Sequence, residues 1–142
     1  MITVQQLLAQ NARPVCAIAP DATVFDAIAK MADEDIGSLL VMEGDKLVGI
    51  ITERHYARSV VLKGKTSPTT PVRDIMDRRV ACVRADQTVE QCMALMSEKR
   101  VRHLPVLEEK KVIGIVSIGD LVKSIISDQQ FIIDQLVHHI HG

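Results

Sequence analysis

Leu47-Val48-Gly49-Ile50-Ile51-Thr52-Glu53-Arg54-His55-Tyr56 returns later in the chain as Val112-Ile113-Gly114-Ile115-Val116-Ser117-Ile118-Gly119-Asp120-Leu121. Outward from this pair, residues 15–56 align with residues 80–121 at a constant offset of 65 and without a gap. Val15/Val80, Asp21/Asp86, Thr23/Thr88, Val24/Val89, Met31/Met96, Leu39/Leu104, Val41/Val106, Gly49/Gly114 and Ile50/Ile115 are identical, and most other apolar positions stay apolar. Self-similarity at a fixed period marks a duplicated supersecondary unit.

Each copy reads as βαββα. A short apolar strand, Val15 to Ile18 or Val80 to Val83, leads through a polar turn to Thr-x-x-Asp at Thr23 or Thr-x-x-Gln at Thr88, which are capping-box patterns. Val24, Ala27, Ile28 and Met31, matched by Val89, Cys92, Met93 and Met96, then fall at i, i+3, i+4 and i+7, so one helix face must pack on a sheet. Two β-rich runs follow, 38–42 and 46–52, then 103–107 and 111–117, as hairpins. Gly49 and Gly114 sit inside the second hairpin strand, where a missing side chain marks a bulge or the close approach of another group. A second helix starts near Thr52 and again near Ser117. The expected class is α+β: two βαββα repeats packed about a pseudo-twofold axis, with clefts where they meet, because one repeat is too small to bury its own sheet. The repeats are placed at 8–62 and 72–127 of a single 1–142 module. An exposed connector spans 63–71, rich in Lys, Ser, Thr, Gly and Pro, and a C-terminal helix spans 128–142.

Composition narrows the function classes. The chain has 142 residues, 47% of them hydrophobic, enough for a self-supporting core. Phe25, Tyr56 and Phe131 are its only aromatic side chains, so that core is aliphatic. Seventeen basic against eighteen acidic groups leave a net charge of -1, which supplies no global field for nucleic acid or an anionic membrane. Cys16, Cys82 and Cys92 form no C-x-x-C pair, which argues against a disulfide framework or structural zinc and for a reducing compartment. The N-terminus lacks the basic and apolar regions of a secretory signal, and no apolar run reaches the roughly 18 residues of a membrane span; the expected location is cytoplasmic.

Chemistry concentrates at the strand-to-helix turns. Ser117-Ile118-Gly119-Asp120 sets a hydroxyl and unpaired backbone N–H groups at a helix start, an arrangement that binds phosphate. Asp120 is placed to accept from a ribose diol, and Gly119 lets a ligand approach the backbone. The same Ser-x-x-Asp is also a capping box, and spacing alone leaves both roles open. The first copy has Thr52-Glu53-Arg54-His55, with His in place of Asp, which argues against ribose binding there. Arg54 and Arg58, one helical turn apart, present two cations on one face or are simply solvated. Arg100, Arg102 and His103 precede Leu104-Pro105-Val106, whose proline implies an edge strand or a strand end; their charges contact a phosphate or pair with Glu98 or Glu108. His138, His139 and His141 do not share a helix face and read as a surface tail rather than a metal site. No nucleophile–base arrangement, Walker loop or dinucleotide fingerprint is present, so no catalytic site and no catalytic cofactor are expected.

Taken together, the two repeats, the endings Gly49-Ile50-Ile51-Thr52 and Gly114-Ile115-Val116-Ser117-Ile118-Gly119-Asp120, and Arg102-His103-Leu104-Pro105-Val106 resemble tandem cystathionine β-synthase (CBS) domains, the Bateman module. With Thr52-Glu53-Arg54-His55-Tyr56-Ala57-Arg58, the chain is similar to stand-alone bacterial CBS pairs. The resemblance implies a regulatory sensor, not an enzyme, for an adenosine ligand such as AMP, ADP, ATP, NAD(H) or S-adenosylmethionine. It implies that Ser117 lies near phosphate, Asp120 on ribose, and Val80, Ala81 and Cys82 against adenine. Arg102 and His103 match positions that reach phosphates across the pseudo-twofold, towards the Thr52 site. It further implies a homodimer, for which Phe131, Ile132, Gln135, Leu136 and Ile140 leave apolar surface, and a separate, unidentified regulated protein; neither nucleic acid nor membrane is an expected partner. The competing reading is a ligand-free structural or interaction module in which Ser117 and Asp120 only cap a helix.

Overall fold

The computed structural model describes residues 2–10 and 15–141, with the His141 side chain outside the described part; residues 11–14 of the expected first repeat and residue 142 also lie outside it. The architecture is α+β with two three-stranded sheets, in the orders β1-β2-β3 and β4-β5-β6. In the first repeat β1 (Ala17–Ile18) pairs parallel with β2 (Ser38–Glu43), which pairs antiparallel with β3 (Lys46–Thr52), and α2 (Val24–Glu34) connects β1 to β2. The second repeat reproduces this with β4 (Val83–Arg84), α4 (Val89–Lys99), β5 (His103–Glu108) and β6 (Lys111–Ser117). Both helices start as their sequences dictate: Thr23 accepts from the Asp26 N–H, and Thr88 and Gln91 complete a reciprocal capping box.

Two strands are shorter than the sequence pattern implies, and the second also starts late. In the first copy the Leu40 N–H donates to the Cys16 carbonyl at 3.1 Å. Pro105 stands where Leu40 does and has no N–H, so the matching bond is impossible and pairing begins only at Val83. Val80, Ala81 and Cys82 are therefore irregular backbone rather than strand. Nor is β5 an edge: it is the central strand, and its proline is tolerated because the parallel ladder beside it is two residues long.

The helices depart further. The first copy's second helix is a single turn, α3 (Glu53–Tyr56), continued by a π-helical turn over Ala57–Val61. The second copy's is α5 (Ile118–His141), which runs without interruption through the expected C-terminal helix, since no Gly or Pro stands near residue 127 to end it. An N-terminal helix, α1 (Val4–Gln10), has no counterpart in the sequence reading.

The chain divides into two compact units, and each repeat is completed by the segment that precedes the other. In one unit, Val4 and Leu7 of α1 join Val83, Val89, Cys92, Met96, Leu104, Val106, Val116 and Leu121 in a single core. Val4 N–H donates to the Gln87 carbonyl, and Val89 N–H to that of Ile2. In the other, Val72, Ile75 and Met76 join Val24, Ala27, Met31, Leu39, Val41, Ile51 and Val60. Val24 N–H donates to Thr70 and Val72 N–H to Ala22, the same pairing in the same place. Thr70 is buried, so the connector is not uniformly exposed; its second half is pinned to the start of α2.

The two glycines lie where these segments cross the sheets. A Cβ on Gly49 would stand 2.7 Å from Met76 Sδ and 3.0 Å from the Asp77 carbonyl oxygen; one on Gly114 would stand 2.7 Å from Leu8 Cδ2. The close approach expected at both positions is that of the lead-in segments, and the β2–β3 register also shifts between Val41 and Met42, opposite Gly49.

Candidate functional site

In the second repeat β6 ends on Ser117, which stands immediately before α5. The Asp120 N–H donates to Ser117 Oγ at 3.2 Å, and the Ser117 N–H donates to Asp120 Oδ2 at 3.0 Å, a complete reciprocal cap. The Ile118 N–H, another N-terminal donor of the helix, is accepted by the Arg102 carbonyl at 2.9 Å. Asp120 is buried although it carries a carboxylate, while Ile118 and Gly119 are exposed. A Cβ on Gly119 would meet only Ser117 Oγ, at 3.6 Å, so that backbone can be approached closely.

His103, at the start of β5, is half-buried and feels the Asp120 charge. Burial pushes its pKa down, Asp120 opposes this, and the neighbouring Arg102 guanidinium adds to the lowering. The Arg102 side chain itself is exposed. Ala81 packs against the core of the same unit, whereas the division between the two units falls between Val80 and Ala81. Burial raises the pKa of the Cys82 thiol. Ser117, Ile118, Gly119, Asp120, Arg102 and His103 are thus brought together at one helix start.

One residue escaped the sequence reading. Ser124 lies one turn along α5 from Asp120, buried, with its Oγ lacking a hydrogen-bond partner among the described residues. The available signal was a hydroxyl at i+4 from Asp120, on the face that Leu121 buries.

The first repeat builds the same turn from different groups. His55 N–H donates to Thr52 Oγ1 at 3.2 Å, and Thr52 N–H donates to His55 Nδ1 at 3.1 Å. Burial lowers the His55 pKa, Asp77 opposes the lowering, and Arg54 and Arg58 reinforce it. Arg54 and Arg58 are exposed and both act on this imidazole. Arg100 occupies the left-handed position that ends α4, with φ of 55°, where Asp35 ends α2 with φ of 54°. Among the described residues no cluster of His, Cys, Asp and Glu is arranged to hold a metal ion, and no helix is long and apolar enough to cross a membrane.

The CBS-domain profile matches twice, over residues 9–61 and 72–127. The chain belongs to the CBS-domain family. A crystal structure of the CBS domain of NE2398 is 54% identical and superposes with a TM-score of 0.84, covering 87% of this chain and 97% of that one. A candidate signal-transduction protein with CBS domains from Burkholderia ambifaria MC40-6 is 49% identical with a TM-score of 0.86, over 89% and 96% of the two chains. The CBS domain pair of MJ0100, solved in complex with 5′-methylthioadenosine and S-adenosyl-L-methionine, is 23% identical with a TM-score of 0.79, over 90% and 98%; that likeness is one of fold. Among curated proteins, the mitochondrial CBS domain-containing protein CBSX3 of Arabidopsis thaliana is 38% identical over 86% of this chain. The chain spans 62% and 58% of the length of the first two curated relatives it matches. CBS pairs are regulatory, signal-transducing modules.

Proposed function

We propose that this chain is a non-enzymatic regulatory module that binds an adenosine-containing ligand, AMP, ADP, ATP or NAD(H), on the Ser117–Asp120 turn and passes its ligand state to a separate protein. The observation that supports the reading is the buried Asp120 carboxylate beside the exposed Ile118 and Gly119, with the Gly119 backbone open to close approach. A carboxylate there is an acceptor for a ribose diol, and the N-terminus of a 24-residue helix is a favourable place for phosphate. Arg102 and His103 bring basic groups to the same turn, and the Ser124 hydroxyl, without a hydrogen-bond partner among the described residues, lies one turn below. Ala81 and Cys82, with Val80 before them, supply the apolar backbone for adenine by family resemblance. Thr52, Arg54 and Arg58 form a second, weaker candidate, because His55 replaces the carboxylate. The odd number of cysteines and the lack of a C-x-x-C pair among Cys16, Cys82 and Cys92 support a reducing, cytoplasmic setting.

A second reading has its own support: the two hydrogen bonds of the Ser117–Asp120 cap already give both side chains a structural task, as a ligand-free interaction module requires. A thermal-shift screen with AMP, ADP, ATP, NAD, NADH and S-adenosylmethionine separates the two. A ligand at 100 times its Kd adds roughly 2.7 kcal/mol, about 5–10 °C for a chain of this size. No shift with any of the six favours the ligand-free module.

A further inference from the structure

Thr52 ends β3, and its N–H donates to His55 Nδ1 at 3.1 Å, while the His55 N–H donates to Thr52 Oγ1 at 3.2 Å. The first of these bonds exists only with a neutral imidazole, because an imidazolium carries a proton on each ring nitrogen and accepts nothing. A proton added from the medium at Nδ1 sets donor against donor and strips the part-buried Thr52 N–H of its acceptor, the costly way to lose a hydrogen bond. At the matching turn of the second repeat the Ser117 N–H is accepted by Asp120 Oδ2 at 3.0 Å, and carboxylates as a class go on accepting throughout the range in which histidines titrate.

The first turn is lightly held. α3 buries none of its residues and passes directly into the π-helical turn, whereas α5 buries Asp120 and Leu121 near its start and runs on for 24 residues. Beyond its cap, the turn is tied by the Glu53 N–H, accepted by the Gly37 carbonyl at 3.1 Å, and by Ser67 Oγ, which donates to Tyr56 Oη at 3.3 Å. Burial keeps the imidazole neutral, Asp77 of the segment that crosses Gly49 favours its cation, and Arg54 and Arg58 side with burial. Glu53 on the same turn is exposed. β3 bears no charge beyond Lys46, and α2, which also packs on α3, bears Asp26, Lys30, Asp33 and Glu34, all exposed.

We propose that His55 is a proton-operated latch: acidification releases Thr52 from the imidazole and opens the Thr52–Tyr56 turn of the first repeat, while the Ser117–Asp120 turn of the second stays shut. The opening is local, because Ile51 and Val60 on either side of the turn remain in the core. It changes what the turn presents. Closed, the turn sets a neutral ring beside the Arg54 and Arg58 guanidinium groups; open, an imidazolium joins them on a loosened segment. Through Tyr56 the movement reaches Ser67, whose carbonyl accepts the Phe25 N–H at 3.1 Å at the start of α2. The device requires no bound nucleotide and stands whether or not the second turn takes one.

Nuclear magnetic resonance of the full chain, titrated from about pH 7.5 to about pH 5, tests the latch, with His55→Asp giving the first repeat the second repeat's acceptor. At the upper end the ring nitrogen shifts should show the His55 proton on Nε2 and Nδ1 bare. As the ring takes up its second proton, the Thr52 amide should lose about three- to tenfold of its hydrogen-exchange protection, the factor expected when opening frees an imidazole whose usual pKa is about 6.5 from a site that depresses it. In His55→Asp the same amide should keep its protection over that range. The methyl signals of Ile51 and Val116, buried in the two cores, should stay in place throughout. A proton on Nδ1 at the upper end, a ring that never titrates, a Thr52 amide that keeps its protection as the ring does, loss of that protection only together with the core methyl signals, or a His55→Asp turn that still opens would overturn the proposal.

Discussion

At the end of β3 the N–H of Thr52 is accepted by an imidazole nitrogen, whereas at the end of β6 the N–H of Ser117 is accepted by a carboxylate oxygen; hydroxyl, spacing and helix start are otherwise the same. Capping is therefore indifferent to the choice of acceptor, but what each turn can offer a ligand is not. With Nδ1 accepting, His55 is the neutral tautomer carrying its proton on Nε2, so the first turn presents a donor flanked by the Arg54 and Arg58 cations. The second turn presents a carboxylate, an acceptor suited to hydroxyl donors. Duplication kept the structural role in both copies and left the chemistry free to diverge.

The largest effects should come from the lead-in segments, which complete the repeats crosswise. Leu7→Ala and Ile75→Ala, at buried positions, should each cost about 2–5 kcal/mol. Native-state hydrogen exchange assigns the damage: Leu7→Ala should weaken protection in β6 before β3, and Ile75→Ala the reverse. Equal loss in both sheets would contradict the crosswise packing.

Gly49 and Gly114 set the two repeats apart at the next scale. Gly49→Ala drives a methyl against the Asp77 carbonyl, which pairs with the Ile50 N–H at 3.0 Å, so backbone must move and about 1–3 kcal/mol should be lost in chemical denaturation. Gly114→Ala meets only the Leu8 side chain, which can turn away, and should cost less. The caps follow. Thr52→Ala and Ser117→Ala should each cost about 1 kcal/mol, and equal values would show that imidazole and carboxylate boxes are structurally equivalent.

The smallest effect is in pH. His55 and His103 both have pKa values held below their usual range by burial, so the unfolded chain binds more protons than the fold as the medium is acidified. Their contribution is complete above the unfolded value of about 6.5 and is lost as pH falls from there through the folded values. His55→Asn, which keeps an acceptor for Thr52, should flatten that decline in part, leaving the share due to His103. An unchanged slope in urea titrations across pH 7 to 5 would show that His55 has no part in it.

Much of this was legible because it is local. The offset of 65 that carries Val24 to Val89 and Gly49 to Gly114 writes the repeat directly, and hydroxyl-x-x-acceptor at 23, 52, 88 and 117 marks the starts of α2, α3, α4 and α5. The glycines announced a close approach but not the approaching group, since Met76 and Leu8 lie far off in sequence and only the folded chain joins them. Pro105 signals an edge strand or a strand end because its missing N–H is visible in sequence while the length of the ladder beside it is not. Ser117 and Asp120 were found, but cap and ligand use the same atoms, so neither spacing nor the hydrogen bonds separate the two roles.

Calorimetric titration of AMP into the wild type and Asp120→Asn, with His55→Asp alongside, decides between those roles. Asp120→Asn should lower affinity by about one to two orders of magnitude, the loss of a charge-assisted hydrogen bond of roughly 1.5–3 kcal/mol, while the fraction folded is unchanged. His55→Asp should strengthen or add binding at the first turn. Unchanged affinity and stoichiometry in both variants would contradict the ribose role of Asp120 and leave the two turns as caps alone.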